Sequence, residues 1–223
     1  NIRFLKEEEN IDLNFAKKIS SLFDVYVNDA FSASHRDHTS ITGFSKFLPA
    51  VAGNHMIKEI DSINSFLNNT KKPNMAIVGG SKISTKIQLL NNLIKQFSVV
   101  AIGGAMANTF LLANNYSLGK SLVEKNSIQE ANTIQLKAKK LNCELILPTD
   151  VLCGKDIHDT KPVHRKIHEV VPEEMILDIG DDSTQYINNK IINSKMVLWN
   201  GPVGAFEFKP YDKATNAIAN VIK

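Results

Sequence analysis

Two glycine pairs, each following a short apolar run, are the first places in this sequence where chemistry is expected. Gly79-Gly80 follows the run 75–78 and precedes Ser81-Lys82-Ile83-Ser84-Thr85-Lys86. Glycines let a backbone approach a ligand closely, and a helix starting after them would offer free N–H groups and its positive dipole end. Lys82 and Lys86 are four residues apart and are predicted to share a face of that helix. Two interpretations are about equally favoured: a phosphate site, or a simple turn whose lysines are solvated. The G-x-x-x-x-G-K-[ST] phosphate-binding loop is absent.

The second pair, Gly103-Gly104, has the same context. It follows the apolar run 99–102 and precedes Ala105-Met-Ala-Asn-Thr-Phe110. The G-x-G-x-x-G pattern of dinucleotide-binding folds is absent, which argues against a nicotinamide dehydrogenase. Tight packing of a strand on a helix explains this motif, taken alone, as well as ligand binding does.

Two further segments combine a strand end with reactive residue types. Asn200-Gly-Pro-Val-Gly204, with Glu207 three residues later, follows a buried strand and is too specific to be a generic turn. The segment 27–38 carries Arg36, whose planar guanidinium fork suits a phosphate or a carboxylate. For the neighbouring His35 and His38, surface charge on a loop is the default interpretation.

The elements that must position these residues are predicted from short apolar runs separated by amphipathic segments. Near-continuous apolar runs indicate strands buried on both faces, as in a parallel sheet covered by helices. The predicted strands are 24–27, 75–78, 99–102, 144–147, 176–179 and 196–199. Helices are predicted from Ile83, Ile87, Leu90 and Ile94, and from Met56, Ile60, Ile63 and Leu67, the latter with Pro49 in its first turn. The fold class is therefore an α/β doubly wound parallel sheet, with ligands expected beyond the carboxyl ends of its strands.

Composition excludes several classes of protein. The 223 residues are 43% hydrophobic and 22% charged, with a net charge of +3, which demands no nucleic-acid partner. No apolar stretch is long enough for a membrane span, Cys143 and Cys153 fit a reducing compartment, and a cytoplasmic location is expected. His164 and His168 lack an H-E-x-x-H frame, so no metal site is expected there. The first residue is Asn1 rather than Met, which suggests a start further upstream.

Taken together, four runs of this sequence closely resemble the phosphoglycerate kinase family, over essentially the whole chain. They are VNDAF…HR (27–36), VGGSKISTKI (78–87), IGGAMANTF (102–110) and LWNGPVGAFEF (198–208). The resemblance implies two Rossmann-like lobes, one for 3-phosphoglycerate and one for the nucleotide. It implies reversible phosphoryl transfer between 1,3-bisphosphoglycerate and ADP, giving 3-phosphoglycerate and ATP in glycolysis. A non-catalytic nucleotide-binding fragment or module is the alternative.

The resemblance also implies a role for each matching residue. Arg36 and Lys72 would bind 3-phosphoglycerate, and Lys72 stands where the family usually has arginine. Lys82 would meet the transferring phosphoryl group, and Lys86 and Asn200 the nucleotide phosphates. Gly103 and Gly104 would form the wall of the adenine pocket, with Ala105 in place of a third glycine. Glu207 would accept from the ribose hydroxyls.

The domain organisation follows from the same resemblance. Residues 1–48 are expected to end the substrate lobe, 49–72 to form a connecting helix and hinge, and 73–223 to form an incomplete nucleotide lobe. The Asp that binds Mg²⁺ with ATP or ADP is expected beyond Lys223, so no metal ligand is predicted within the chain. The expected partners are small molecules only, the protein is expected to be a monomer, and this truncated chain is expected to be inactive alone.

Overall fold

The structure is a computed structural model that describes residues 1–68 and 71–222. The chain divides into two compact units, Asn1–Asn69 and Thr70–Lys223. Part of the predicted hinge, residues 69 and 70, lies outside the described residues. Within the described ranges, no helix combines the length and apolarity that a membrane crossing requires.

The described residues of the first unit include two parallel strands and three α-helices. Their bounds are α1 Lys6–Glu9, α2 Leu13–Ser20, β1 Tyr26–Asn28, β2 Ala50–Ala52 and α3 Asn54–Asn68. Asp12 caps α2 by accepting from the N–H groups of Asn14 and Phe15, both at 2.9 Å. The Asp29 carboxylate does the same for α3, accepting from His55 N at 2.7 Å and Met56 N at 3.0 Å.

The predicted position of Pro49 in the first turn of the long helix is wrong. The Pro49 carbonyl instead accepts from the Tyr26 N–H at 2.9 Å, and this bond begins the pairing of β1 with β2. The helix starts only at Asn54, where the Asp29 cap satisfies its first N–H groups. An apolar periodicity locates a helix, but it does not reveal that the preceding residues pair as a strand.

The second unit is built on a four-stranded parallel sheet of order β5-β4-β3-β9, as the apolar runs predict. These strands are β3 Asn74–Val78, β4 Val99–Ile102, β5 Glu144–Ile146 and β9 Met196–Asn200. The two central strands, β3 and β4, are buried along their whole length. The helices of the unit are α4 Ile87–Gln96, α5 Gly104–Ala113, α6 Ile128–Lys140, α7 Asp181–Ile192 and α8 Lys213–Ile222.

A second, antiparallel sheet in this unit corrects one expectation. It has the order β7-β6-β8 and consists of β6 Asp150–Gly154, β7 Val163–Lys166 and β8 Met175–Ile179. The strand predicted at 176–179 is confirmed, but its assignment to the parallel sheet is wrong. A short apolar run is compatible with either strand direction, because burial on two faces does not fix the partner.

Candidate functional site

The candidate site of the second unit lies where β3, β4 and β9 end. Backbone hydrogen bonds join the loops that follow these strands. Gly79 N donates to the Asn200 carbonyl at 2.9 Å, Gly104 N to the Val203 carbonyl at 2.7 Å, and Met106 N to the Gly80 carbonyl at 2.9 Å. Parallel strands bring their carboxyl ends to one edge, so segments far apart in sequence form a single site.

Glycine is required at two of these positions. A Cβ on Gly79 would lie 1.8 Å from the Pro202 carbonyl oxygen. Gly104 has a φ of +66°, and its Cβ would lie 2.6 Å from the Gly80 carbonyl oxygen. Both glycines therefore let two backbones touch, whereas the sequence pattern predicts the close approach of a backbone to a ligand.

A cavity of about 300 Å³ opens beside these loops. Its lining includes the Glu207 carboxylate and residues of the glycine-rich loops, namely Gly80, Gly104, Ala105, Pro202 and Gly204. It also includes the apolar side chains of Leu122, Ile157, Met175 and Leu177. The volume is at the small end of the range of small-molecule sites, and a largely apolar wall with few polar groups is typical of them.

Lys86 is held beside the cavity by two strong hydrogen bonds. Its Nζ donates to the Gly79 carbonyl oxygen and to the Asn200 Oδ1, each at 2.6 Å. Burial lowers the pKa of its ammonium group. Because an ammonium carries three N–H donors, one remains for an incoming anion. Two predicted site residues, Lys86 and Asn200, thus meet directly.

Lys82 lies on an exposed turn, and the predicted helix around it is wrong. Helix α4 starts only at Ile87, so Lys82 and Lys86 do not share a helix face. Residues 81–86 form a non-helical turn segment, in which the bond from Lys86 N to the Ile83 carbonyl at 2.8 Å closes the part 83–86 and the Thr85 hydroxyl donates to the Lys82 carbonyl at 3.0 Å. The helix predicted at the second glycine pair is present, since α5 begins at Gly104 with Gly103 as its N-cap.

Asp178 is a cavity residue that the sequence analysis did not identify. It is 1% exposed and lines the cavity, and its Oδ2 accepts from Ala214 N, in the first turn of α8, at 3.1 Å. Burial raises the pKa of the Asp178 carboxyl to about 7, and the charges of Asp181 and Asp212 add to this rise. The only feature of the sequence that could have identified Asp178 is its acidic side chain within the predicted apolar strand 176–179.

Asp178 should make the second unit less stable as the pH rises. Its raised pKa means that the folded protein retains a proton that the unfolded chain releases near pH 3.8. The stabilisation is therefore complete below that pH and is lost as the pH rises through about 7. Between pH 5 and pH 7 this group should lower the free energy of unfolding by about 2 kcal/mol.

Urea unfolding at these two pH values, followed by the fluorescence of Trp199, measures this effect. The Asp178→Asn variant should show a smaller loss of stability between them than the unmodified protein. Asp24→Asn, an exposed acid in the first unit, is the matched control and should leave the pH dependence unchanged. An equal pH dependence in the Asp178 variant and the unmodified protein would contradict the assignment.

Arg36 lies in the first unit and lines a separate cavity of about 440 Å³. Arg3 lines the same cavity, together with His38 and the buried Glu8. Two guanidinium groups at one cavity suit an anion. Sequence reasoning missed Arg3 because a lone arginine near a chain end carries no local pattern.

Lys72 is exposed and lies just before β3, at the amino edge of the parallel sheet. Its charge acts on the Cys143 thiol, which precedes β5 at the same edge. The cavity of this unit lies at the opposite, carboxyl edge. Lys72 is therefore not among the residues that the second unit brings together around its cavity.

Several other titratable residues of the second unit form ion pairs. His164 Nε2 lies 2.7 Å from the Oδ2 of the buried Asp150, which also caps α7 by accepting from Asp182 N and Ser183 N. Across residues 1–68 and 71–222, no group of three or more His, Cys, Asp or Glu side chains is placed to hold a metal ion.

Comparisons with known proteins agree on one family. The family model described as phosphoglycerate kinase matches residues 1–223. Phosphoglycerate kinase of Caulobacter vibrioides is 46% identical over 220 residues, covering 98% of this chain and 56% of that protein. The Rhodospirillum centenum relative is 42% identical over 224 residues, again with 56% of its length covered. The solved structure of the Coxiella burnetii enzyme matches with a TM-score of 0.86 at 37% identity, over 100% of this chain and 58% of that one. The chain thus spans a little over half the length of these relatives.

Proposed function

The chain belongs to the phosphoglycerate kinase family, and from this we propose that the protein catalyses reversible phosphoryl transfer between 1,3-bisphosphoglycerate and ADP, giving 3-phosphoglycerate and ATP. The observation that carries the proposal is the junction at the carboxyl edge of the parallel sheet, where the ends of β3, β4 and β9 enclose a cavity beside Lys86 and Asn200.

The second unit is proposed to bind the nucleotide. The base would pack on the apolar side chains that line the cavity and on the backbone of Gly104. Gly103 is not among the lining residues, and its role beside the base is proposed on the family pattern alone. The Glu207 carboxylate, which lines the cavity, would accept hydrogen bonds from the ribose hydroxyls. Lys86 would give its third N–H to the phosphates, since its other two donors hold Gly79 and Asn200.

Lys82 is proposed to stabilise the transferring phosphoryl group. Among the described residues it forms no ion pair, and its side chain is exposed, so its charge is available to a ligand. In the direction of ATP consumption the nucleophile is a carboxylate, which is already ionised at neutral pH. No general base is required, and the task of the protein is positioning and charge neutralisation.

The first unit is proposed to bind 3-phosphoglycerate. Arg36 would hold its phosphate with a bidentate fork, and Arg3, which lines the same cavity, would add a second. Lys72 is proposed as a further substrate contact on the family pattern alone. Residues 49–72 are proposed to connect the substrate lobe to the nucleotide lobe, 73–223, and to act as a hinge.

Four further points are proposals from family membership. The nucleotide would enter with Mg²⁺, the protein would work as a monomer in the cytoplasm, and the reaction would serve glycolysis. The residues of this chain proposed to bind the nucleotide beside the ion are Lys86, Asn200 and Glu207.

Two measurements test the proposed function. A coupled assay with 3-phosphoglycerate and ATP on the natural protein that contains this sequence should detect turnover. Calorimetric titration of the 223-residue chain with ADP should detect binding, but the same chain should transfer no phosphoryl group, because transfer needs every group held in line. Binding without turnover in the natural protein would favour a non-catalytic nucleotide-binding module, and turnover by the 223-residue chain would overturn the assignment of its site.

Lys86→Met should weaken ADP binding to the 223-residue chain by roughly tenfold or more, since it removes a charge-assisted contact worth about 1.5–3 kcal/mol. Lys139→Met, on the exposed part of α6, is the matched control and should bind ADP as the unmodified chain does. Equal affinities for both variants would contradict the role of Lys86.

A further inference from the structure

Glu124 holds the turn that carries Lys82, although it lies forty residues further along the chain. Its Oε2 accepts from the Ser84 N–H at 3.0 Å, and its Oε1 accepts from the Ser84 hydroxyl at 2.6 Å. The two carboxylate oxygens therefore accept hydrogen bonds from both the backbone and the side chain of Ser84. Such a two-point contact fixes the orientation of the turn as well as its distance.

The backbone of Glu124 is fixed in turn to α5. Its N–H donates to the hydroxyl of Thr109 at 3.1 Å, and Thr109 is fully buried in that helix. Helix α5 begins at Gly104, which lines the cavity. Thr109, Glu124 and Ser84 thus form a continuous link from the helix at the cavity wall to the turn bearing Lys82.

Charge supports the same arrangement. Burial alone would raise the pKa of the Glu124 carboxyl, but the hydrogen bonds from Ser84 and the positive charge of Lys82 outweigh this, and its pKa lies below the usual range. The carboxylate therefore stays ionised at neutral pH. Lys82 lies near enough to feel this charge, yet no ion pair within 4.0 Å joins the two side chains.

We propose that Glu124 is a positioning residue that sets the place of Lys82 relative to the cavity by holding Ser84. This inference rests on the proposed function, and it adds a residue that touches neither nucleotide nor substrate. Without the carboxylate, the turn segment 81–86 would lose both hydrogen bonds from Ser84 to Glu124, but Lys82 would still be present. Misplacing a reacting group by about 1 Å can cost up to about a hundredfold in rate.

A double-mutant cycle on the natural protein tests this inference. Glu124→Ala should lower kcat by roughly 10- to 100-fold and leave the KM for ATP within about threefold. Lys82→Ala/Glu124→Ala should be no slower than Lys82→Ala alone, because Glu124 acts through Lys82. The inference would be overturned if the kcat losses of the two single variants multiplied in the double variant. A wild-type kcat for Glu124→Ala would overturn it as well.

Conservative variants and controls separate positioning from simple loss of structure. Glu124→Gln keeps one acceptor oxygen, so its kcat should fall between those of the wild type and Glu124→Ala. Ser84→Ala removes one of the two contacts and should resemble Glu124→Gln, whereas Glu173→Gln, an exposed carboxylate, should change nothing. Faster hydrogen exchange at the Ser84 amide in Glu124→Ala, at an unchanged melting temperature, would support a local effect. If kcat fell only in those variants whose melting temperature also fell, the positioning role of Glu124 would be overturned.

The cycle also distinguishes the inference from the proposed function. If the protein has no kinase activity, or if Lys82→Ala keeps the wild-type kcat, the proposed function or the role of Lys82 is wrong. If Lys82→Ala is slow while Glu124→Ala is fast, the proposed function stands and only the positioning role of Glu124 fails.

Discussion

Replacing Lys82 by alanine in the natural protein should lower kcat by about 10²–10³-fold, the usual cost of one lost electrostatic contact in a transition state. Among the described residues this lysine forms no ion pair, although the charge of Glu124 lies nearby, and it sits on a turn segment next to the glycines of the cavity. Its charge is thus available for the phosphoryl group, where negative charge must be neutralised during transfer.

The measurement is the coupled assay at saturating 3-phosphoglycerate and ATP. Lys95→Ala, an exposed lysine in the last turn of α4, is the matched control and should keep its full rate. Because Lys82 is exposed, its variant should melt at the wild-type temperature. A kcat within twofold or so of the wild type would remove Lys82 from the mechanism.

Gly79→Ala should destabilise the second unit by about 3 kcal/mol or more and abolish measurable ADP binding. The new Cβ would lie 1.8 Å from the Pro202 carbonyl oxygen and 2.8 Å from the Gly201 carbonyl oxygen. Both contacts are with backbone, which cannot rotate away as a side chain can. The loops after β3 and β9 must therefore separate, which breaks the Gly79–Asn200 hydrogen bond.

Gly43→Ala is the matched control for this substitution. Its nearest contact would be the Thr39 Cγ2 at 3.2 Å, so a small shift of one side chain accommodates it. Urea unfolding and calorimetric ADP titration should show a large effect for Gly79→Ala and a small one for Gly43→Ala. If both variants behave alike, the close approach of the two loops is not what demands glycine at position 79.

The sequence was most informative where local pattern and burial coincide. The runs 75–78, 99–102 and 196–199 predict three strands of the parallel sheet, because strands that helices cover on both faces tend to be apolar along their length. The glycine-rich segments after them predict the edge at which the cavity lies. Local signals therefore locate the site, since strand direction brings their ends together.

The sequence was least informative where long-range contacts decide the structure. The bond between Lys86 and Asn200 joins residues 114 positions apart, and no local pattern predicts it. The sequence predicts a helix for the segment around Lys82 because Ile83 continues the apolar spacing of α4. The contact that stabilises the turn instead comes from Glu124, forty residues away, which binds Ser84. Asp178 and Arg3 were missed for a similar reason, since their importance depends on the cavities they line.

The order of strands in the parallel sheet has a consequence for synthesis on the ribosome. Strand β3 pairs with β4 on one side and with β9 on the other, yet β4 follows it within about 20 residues and β9 only after about 120. At a synthesis rate of about 5–20 residues per second, the edge of β3 that pairs with β9 stays unpaired for roughly 6–24 s. During that interval the nascent chain exposes an apolar strand edge on which other strands can pair. The same delay applies to nucleotide binding, because Glu207 and the loop after β9 are made after the other residues that line the cavity, so ADP can stabilise this unit only once that loop has been synthesised.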